Sequence, residues 1–240
     1  MKNYYLLGLF TLFLGLMGSC SDGDTDDDVS GGKRLTKIEE LNGDGDYLLY
    51  SYNSDGKLIS IEDGDEDGMH ERLTLTYDGK SISRIQFFND PELFATMDLL
   101  YKEDTVFVSG EDKQYRGIVN DTLIINTSLN TLQKLTTLQK WPIGTTRTIT
   151  YNYDDRGNIT STSKYSENFS YDTNPSFYST IGIPYWFLNY LYEFSNVIFD
   201  YAGPNNILYS YYSYEYGTDK YPVKICLTDD DGITEYKITY

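Results

Sequence analysis

The sequence predicts a mainly β fold: a long antiparallel up-and-down meander that forms a barrel or half-barrel. One observation behind this prediction is that short segments alternate apolar and polar residues, and another is that turns rich in Asp, Asn and Gly separate them. The third is composition. The 240 residues include 25 Tyr, 11 Phe and 2 Trp, and so many large rings exclude a chain that is disordered over most of its length.

The alternating segments run from residue 35 to residue 240. In the segment 72–77 (RLTLTY), Leu73 and Leu75 would face one side of a strand, and Thr74 and Thr76 the other. This period of two, with its β-branched and aromatic residues, is typical of half-buried strands. Other examples of predicted strands are YLLYSY (47–52), SISRIQF (81–87), TVFVSG (105–110), TLIINT (122–127), RTITYNY (147–153), NVIFDY (196–201), YSYYSYEY (209–216) and ITEYKITY (233–240).

Turns of one type separate several of these strands. Each has Asp or Asn, then a Gly that can adopt positive φ, then a return strand, which together predict a hairpin. Consecutive hairpins imply that neighbouring strands pair in order, and roughly a dozen or more strands would curl or close. The turns lie in the segments 52–61, 77–85, 153–161 and 228–236.

One stretch breaks the strand pattern and predicts a short helix in the C-terminal third. Pro184 is well placed for the first helical position of the segment 184–194 (PYWFLNYLYEF). Asn189 and Glu193 would form a narrow polar stripe on a helix whose other sides are apolar. A helix that is apolar nearly all round is buried, so we expect it to cap or plug the concave side of the sheet.

The first 19 residues predict a lipoprotein signal peptide. Lys2 supplies a positive charge, and the apolar run 6–17 is too short to span a bilayer core of about 30 Å but suits a cleavable signal. The run ends in Met-Gly-Ser-Cys, which resembles a bacterial lipobox. This resemblance implies that Cys20 is lipidated and becomes the first residue of the mature chain. The alternative is an ordinary secretory signal in which Cys20 is coincidental.

Residues 20–34 predict an acidic, disordered tether between the anchor and a single antiparallel β domain over 35–240. The tether cannot bury enough apolar surface to fold. Its acidic run (Ser21, Asp22, Asp24 and 26–28) resembles the export signal of Bacteroidota lipoproteins. That resemblance implies an outer-membrane protein that faces the cell exterior. If the run is only a spacer, attachment to the periplasmic leaflet is the alternative.

The C-terminal third carries a more specific set of landmarks. They are Asn174-Pro175, Ser195-Asn196-Val197, Tyr214-x-Tyr216, Tyr221-Pro222-Val223-Lys224 and a terminal strand that ends at Tyr240. With the hairpins before them, they make the chain resemble a family of Bacteroidota outer-membrane lipoproteins of unknown function with a porin-like β fold. The resemblance covers most of residues 35–240 and implies the same meander. It implies no activity and no catalytic residues.

Charge and motifs exclude several classes of function. A net charge of −18 and a pI near 4.3 argue against nucleic-acid binding, which needs a basic surface. The common nucleophile, phosphate-binding, zinc-protease and dinucleotide motifs are absent from the sequence, and Cys226 lies between apolar neighbours, which predicts a buried inert thiol. We predict a protein that is not an enzyme and needs no cofactor. Because 37 acidic residues make some close pair inevitable, a carboxylate-dependent hydrolase is a distant alternative.

A calcium loop is one of two weaker patterns. The segment 63–68 (DGDEDG) begins like such a loop, with Asp63, Asp65 and Asp67 as oxygen ligands, but its twelfth position is Thr74 instead of Glu. Acidic residues that solvate a hairpin turn are the alternative, and no metal site is predicted.

The other weak pattern concerns modification. Thr105 and Thr122 each follow an Asp and precede an aliphatic residue, which resembles the O-glycosylation signal of Bacteroidota envelope proteins. Plain strand residues are the alternative.

Residues 171–216 hold 16 aromatic side chains, and rings in such numbers can stack on sugars or bury acyl chains. We expect Trp186, Tyr190, Tyr212 and Tyr214 to line a cleft for a glycan or a lipid. In the alternative, the rings only plug the sheet, and the chain is a structural or partner-docking lipoprotein. The membrane, through the N-terminal lipid, is the partner expected in either case, and the oligomeric state stays open.

Overall fold

The computed structural model describes residues 33–114, 116–138, 145–165, 168–193, 195, 198, 200–209, 211–229 and 232–240. The predicted signal peptide (1–19), the lipidation residue Cys20 and the predicted tether up to residue 32 lie outside the described residues. Within the described ranges, no helix is both long enough and apolar enough to cross a membrane.

An antiparallel meander forms the first part of the domain. Each of its strands pairs with the next, as the hairpin pattern predicts. The strands are β1 (Lys37–Glu40), β2 (Tyr47–Tyr52), β3 (Leu58–Asp65), β4 (Gly68–Asp78), β5 (Ser81–Asn89), β6 (Glu92–Lys102), β7 (Thr105–Asp112), β8 (Gly117–Asn126), β9 (Thr131–Leu138), β10 (Thr146–Tyr153) and β11 (Ile159–Thr162). Three of the predicted turns join β2 to β3, β4 to β5 and β10 to β11, and Gly56, Gly79 and Gly157 within them have φ of 78°, 57° and 92°.

A two-stranded sheet and the helical segment follow. β12 (Ser170–Pro175) pairs with β13 (Asn205–Leu208), and the chain between them forms a 3-10 turn (Phe177–Thr180) and the helix α1 (Tyr185–Tyr192). The predicted helix is therefore present. Pro184 is its N-cap instead of its first helical residue, with an extended backbone at φ −61° and ψ 139°.

The last strands return to the beginning of the meander. They are β14 (Tyr212–Tyr216), β15 (Pro222–Asp229) and β16 (Gly232–Thr239), and β16 pairs antiparallel with β1. The large sheet has the order β11 to β1, then β16, β15 and β14. It is not closed, because β11 and β14 are its two edges. The predicted meander is confirmed in its half-barrel form.

One face of the large sheet is buried and packs against the helical segment. Leu73 and Leu75 point to this face, as the alternation predicts, and are almost inaccessible to solvent. On α1, the Trp186 ring meets Tyr101 of β6 edge to face, with ring centroids 6.1 Å apart, and α1 also contacts β9. The helix therefore plugs the inner face of the sheet, as predicted.

A buried ionic group fixes α1 against the sheet. The Tyr190 hydroxyl donates to Asp121 Oδ2 at 2.9 Å, and Arg116 Nη2 lies 2.6 Å from Asp121 Oδ1. Tyr190 and Asp121 are both fully buried. A buried carboxylate requires such partners, because it costs several kcal/mol when it is left unpaired.

The strand predicted over 196–201 is wrong at its described residues, since Ile198, Asp200 and Tyr201 lie outside strands and helices. The physical reason is that side chains bind the backbone here. The backbone N–H of Asp200 donates to the Tyr178 hydroxyl at 3.0 Å, and that of Tyr201 donates to Asp200 Oδ1 at 2.6 Å. These donors are therefore unavailable to a neighbouring strand.

The prediction that Cys226 is buried is also wrong. Its neighbour Ile225 points into the core, so the pleat turns Cys226 to the other face of β15, where it is only half-buried. Its thiol lies 3.9 Å from Glu235 Oε1.

Candidate functional site

The candidate site is a tyrosine cluster around Asp200, which lies between α1 and β13. Asp200 is 4% exposed. The tyrosines that respond electrostatically to its charge lie on β12, the 3-10 turn, α1 and β14 and directly after β13. They are Tyr171, Tyr178, Tyr192, Tyr209, Tyr212 and Tyr214. Burial raises the pKa of each of these six tyrosines, and the charge of Asp200 raises it further.

The two carboxyl oxygens of Asp200 have different environments. Oδ1 accepts from the backbone N–H of Tyr201 and lies 3.4 Å from the Tyr209 hydroxyl. Oδ2 is buried and has no hydrogen-bond partner among the described residues. Burial raises the pKa of Asp200 to about 7, although the backbone N–H of Tyr201 and the nearby Tyr212 and Tyr209 hydroxyls partly oppose this. A buried oxygen without a partner is unusual in a folded protein and calls for a functional or solvent explanation.

The cluster reaches the protein surface through a stacked pair of rings. Tyr209 and Tyr211 are parallel, with an angle of 2° between planes and 5.0 Å between centroids. Tyr212 stands perpendicular to both rings, again with centroids 5.0 Å apart. Tyr211 is 45% exposed, so a flat ring face is accessible beside the buried carboxyl.

A second carboxylate, Glu193 at the end of α1, lies in the same aromatic region. It accepts from the Tyr201 hydroxyl at 2.9 Å and from the Tyr151 hydroxyl at 3.2 Å. Lys164 Nζ lies 3.0 Å from its other oxygen. Unlike Asp200, Glu193 therefore has both hydrogen-bond donors and a cation.

A polar network connects the two-stranded sheet to β14, beside the cluster. Asp172 of β12 accepts from the backbone N–H of Asn206 at 3.1 Å and from the side-chain amide of Asn206 at 3.1 Å. The Tyr216 hydroxyl of β14 donates to the same carboxylate. On the other side, Arg156 in the β10–β11 turn donates to the Asp172 carbonyl at 2.9 Å. The network thus spans the gap between the two edges of the large sheet.

The structure separates the four predicted ligand-binding residues into two groups. Trp186 and Tyr190 lie in the core between α1 and the sheet, where Tyr190 is fully buried. Tyr212 and Tyr214 lie in the tyrosine cluster, and both are half-buried. Ligand contact by these residues stays a prediction.

Sequence reasoning missed Asp200 as the centre of the cluster. The available signal was a single acidic residue at the end of an apolar segment, NVIFDY (196–201), which is followed by many tyrosines. The segment is interpreted as a strand from its sequence, and a charged residue is common at the end of a strand, so Asp200 does not indicate a site.

The calcium candidates lie at the β3–β4 turn. His70 Nε2 lies 2.7 Å from Asp65 Oδ2, and the backbone N–H of Asp67 donates to Asp65 Oδ1 at 2.7 Å. Hydrogen bonding to His70 lowers the pKa of Asp65, whereas burial and the nearby Glu71 raise the pKa of Asp63. Within the described ranges, no group of three or more His, Cys, Asp or Glu residues could hold a metal ion.

The two modification candidates lie on neighbouring strands. Thr105 is the first residue of β7 and pairs with Ile124, and Thr122 of β8 pairs with Phe107. Both threonines are half-buried. Modification of either residue stays a prediction.

No family model matches the sequence, and no curated protein matches it. Among solved structures, a porin-like protein from Bacteroides vulgatus is 19% identical, with a TM-score of 0.39 over 87% of this chain and 99% of that chain. A porin-like protein from Bacteroides uniformis is 16% identical, with a TM-score of 0.36 over 85% of this chain and 96% of that chain. Likeness this distant carries no argument about function, so the site is interpreted from this chain's own residues.

Proposed function

We propose that this chain is a lipid-anchored envelope protein that binds a glycan or a lipid, without catalysis, through the tyrosine cluster around Asp200. The observation that carries the binding function is the exposed, stacked Tyr209–Tyr211 pair, continuous with a half-buried group of rings and a buried carboxyl. Flat ring faces beside a few polar groups are the usual composition of small-molecule sites, and tyrosine adds a hydroxyl to each apolar face.

The anchor is proposed at Cys20, with the outer membrane as the site of attachment and the domain facing the exterior. The short apolar run and the lipobox-like Met-Gly-Ser-Cys support it. Globomycin, or Cys20→Ala, should block processing, so that the uncleaved precursor accumulates in the membrane fraction. A wild-type mature chain that is recovered as a soluble protein would contradict the anchor.

Surface exposure is proposed from the acidic run after Cys20. Replacement of Asp22, Asp24 and residues 26–28 by Ala should reduce cleavage by external protease on intact cells. Ser30→Ala, in the same segment, is the matched control. Equal cleavage of all three proteins would show that the acidic run is only a spacer.

Ligand binding is tested at Tyr212, which faces Asp200. Tyr212→Ala should weaken binding of a responsive glycan or lipid from a panel, measured by calorimetry, without a large loss of stability. Tyr77→Ala is the control, because Tyr77 is likewise a half-buried tyrosine on a strand, β4, and lies outside the cluster. If no member of the panel binds, or if Tyr212→Ala only unfolds the domain, the cluster is part of the core.

A docking function without a small ligand is the second candidate, and one surface favours it. Leu100, Phe107 and Ile124 are exposed on β6, β7 and β8, and Leu100 pairs directly with Phe107. Exposed apolar side chains on neighbouring strands are typical of interaction surfaces. Pull-down compares the wild-type domain with Leu100→Ser, in which the tyrosine cluster is unchanged. A partner that the wild-type domain captures and the variant does not would favour docking through this surface.

A further inference from the structure

Several carboxylates of this domain share one arrangement, in which a lysine both pairs with the carboxylate and lies over a tyrosine ring. The lysine supplies the positive charge that the carboxylate and the ring face both attract. The three examples are Lys33 with Asp219 and Tyr240, Lys37 with Glu39 and Tyr47, and Lys164 with Glu193 and Tyr165.

Asp200 is a carboxyl group that also lies among tyrosine rings, but no lysine in the described ranges pairs with it. Tyr178 and Tyr209 form hydrogen bonds with Asp200, and Tyr212 packs perpendicular to Tyr209 with ring centroids 5.0 Å apart. Yet within the described part of the chain no salt bridge joins Asp200 to a Lys or Arg, and Oδ2 has no hydrogen-bond partner. A buried carboxylate is normally kept in a folded protein by a partner cation or by donors to both oxygens.

We infer that the tyrosine cluster around Asp200 binds the alkylammonium group of a ligand, which takes the place that lysine occupies in the other three arrangements. Aromatic faces attract an ammonium ion, and quaternary ammonium groups are recognised by rings of aromatic residues. Tyr211 is exposed and Tyr209 and Tyr192 are half-buried, so this side of the cluster borders solvent.

This inference rests on the proposed function and narrows its ligand. The shared chemistry has two sources: an amino sugar of a glycan, or a choline or ethanolamine headgroup of a lipid. Acidic sugars are disfavoured, because Asp200, Glu193 and Asp172 all lie in or beside the site and the chain has a net charge of −18.

The test uses the full chain and small ammonium probes at pH 7, where glucosamine is mainly protonated, with calorimetry as the readout. Tetramethylammonium, choline and glucosamine are compared with two uncharged analogues, 3,3-dimethyl-1-butanol and N-acetylglucosamine. We expect saturable binding of the ammonium compounds and at least about tenfold weaker binding of their uncharged analogues. Tighter binding of glucosamine than of choline indicates that the ligand is an amino glycan, and tighter binding of choline indicates a lipid headgroup.

Two variants assign the binding to Asp200. Asp200→Asn keeps the shape of the side chain and should lower ammonium affinity at least about tenfold, whereas Asp219→Asn, in a lysine-paired carboxylate, should leave it unchanged. If Asp200→Asn does not fold, the pH dependence of the wild-type protein provides the answer. Tetramethylammonium and choline, which stay charged at every pH, should bind more tightly at pH 8 than at pH 6, because Asp200 gains charge over this range while the six tyrosines stay neutral.

Three results would overturn the inference: equal binding of charged and uncharged analogues, unchanged affinity in Asp200→Asn, or no binding of any ammonium probe. The panel of neutral glycans and lipids distinguishes these failures from failure of the proposed function. If the panel contains a ligand that binds without an ammonium group, the cluster is a binding site but its ligand is neutral. If nothing in either set binds, both proposals are wrong.

Discussion

Asp200 and Tyr209 connect the buried interior of the domain to its surface. The Tyr209 hydroxyl lies 3.4 Å from Asp200 Oδ1, and the Tyr209 ring stacks on Tyr211, which is 45% exposed. A change in the charge of Asp200 therefore acts directly on Tyr209, which stacks on a solvent-exposed ring. This relationship makes both the stability of the domain and the properties of its surface rings sensitive to the same carboxyl.

Asp200→Asn should stabilise the domain above neutral pH. Asp200 has a pKa raised by burial from 3.8 to about 7, so the folded state retains a proton that the unfolded state releases. Stability is therefore lost as pH rises from about 4 to about 7, by up to about 4 kcal/mol. Asn carries no charge and avoids this loss.

Urea denaturation of both proteins at pH 5 and pH 8 measures this effect. The variant should gain stability relative to wild type between the two pH values. Contributions from His70 and Asp63, whose pKa values are also raised, are the same in both proteins and cancel in the difference. A difference that does not change with pH would show that Asp200 has an ordinary pKa.

Tyr190→Phe should lower the free energy of unfolding by about 2 kcal/mol, because it removes a hydrogen bond to a buried carboxylate while the ring still fills its site. Asp121→Ala should cost more, about 3–5 kcal/mol, because it leaves Arg116 buried without its partner. Chemical denaturation of the two variants measures the order. If Tyr190→Phe proves the more damaging of the two, the ionic group does not fix α1 in the way described.

Asp172→Ala should loosen the two-stranded sheet without unfolding the large one. The variant loses the bonds to Asn206 and Tyr216 that hold β13 and β14 to β12, and bonds to a charged acceptor are worth about 1.5–3 kcal/mol each. Hydrogen exchange should accelerate in β13 while β5 to β7 keep their protection. Uniform acceleration in all strands would mean that the network supports the whole fold.

Tyr211→Ala should change stability by less than about 1 kcal/mol, because nearly half of this side chain is exposed to solvent. Tyr209→Ala should cost more, since it removes a half-buried ring and the hydroxyl that faces Asp200. Thermal unfolding of the two variants compares neighbouring residues of the same type. Equal costs would show that the two rings are buried to the same extent in solution.

The sequence predicted those elements whose signal is local. Alternation in the segment 72–77 assigned Leu73 and Leu75 to the buried face, and the glycines of three turns placed their hairpins. The apolar segment after Pro184 predicted a buried helix because no exposed helix would lack a polar face.

The rest depended on contacts between residues that are distant in the sequence. Asp200 forms hydrogen bonds with Tyr178, in a 3-10 turn, and with Tyr209, the residue after β13. No period or spacing in the sequence indicates that these side chains meet. The strand predicted at 196–201 failed for the same reason, since the competing side-chain acceptors become visible only after the chain has folded.

The pairing of β1 with β16 has a consequence for how the domain is made. The backbone N–H of Thr36 donates to the carbonyl of Thr239, and these residues are 203 positions apart. The meander can grow hairpin by hairpin as the chain emerges, but β1 keeps one open edge until β16 arrives. Long-range closure of this kind slows folding, and an uncovered strand edge invites association with other chains. The interval before β16 docks is therefore when the edge of β1 is most open to pairing with another chain.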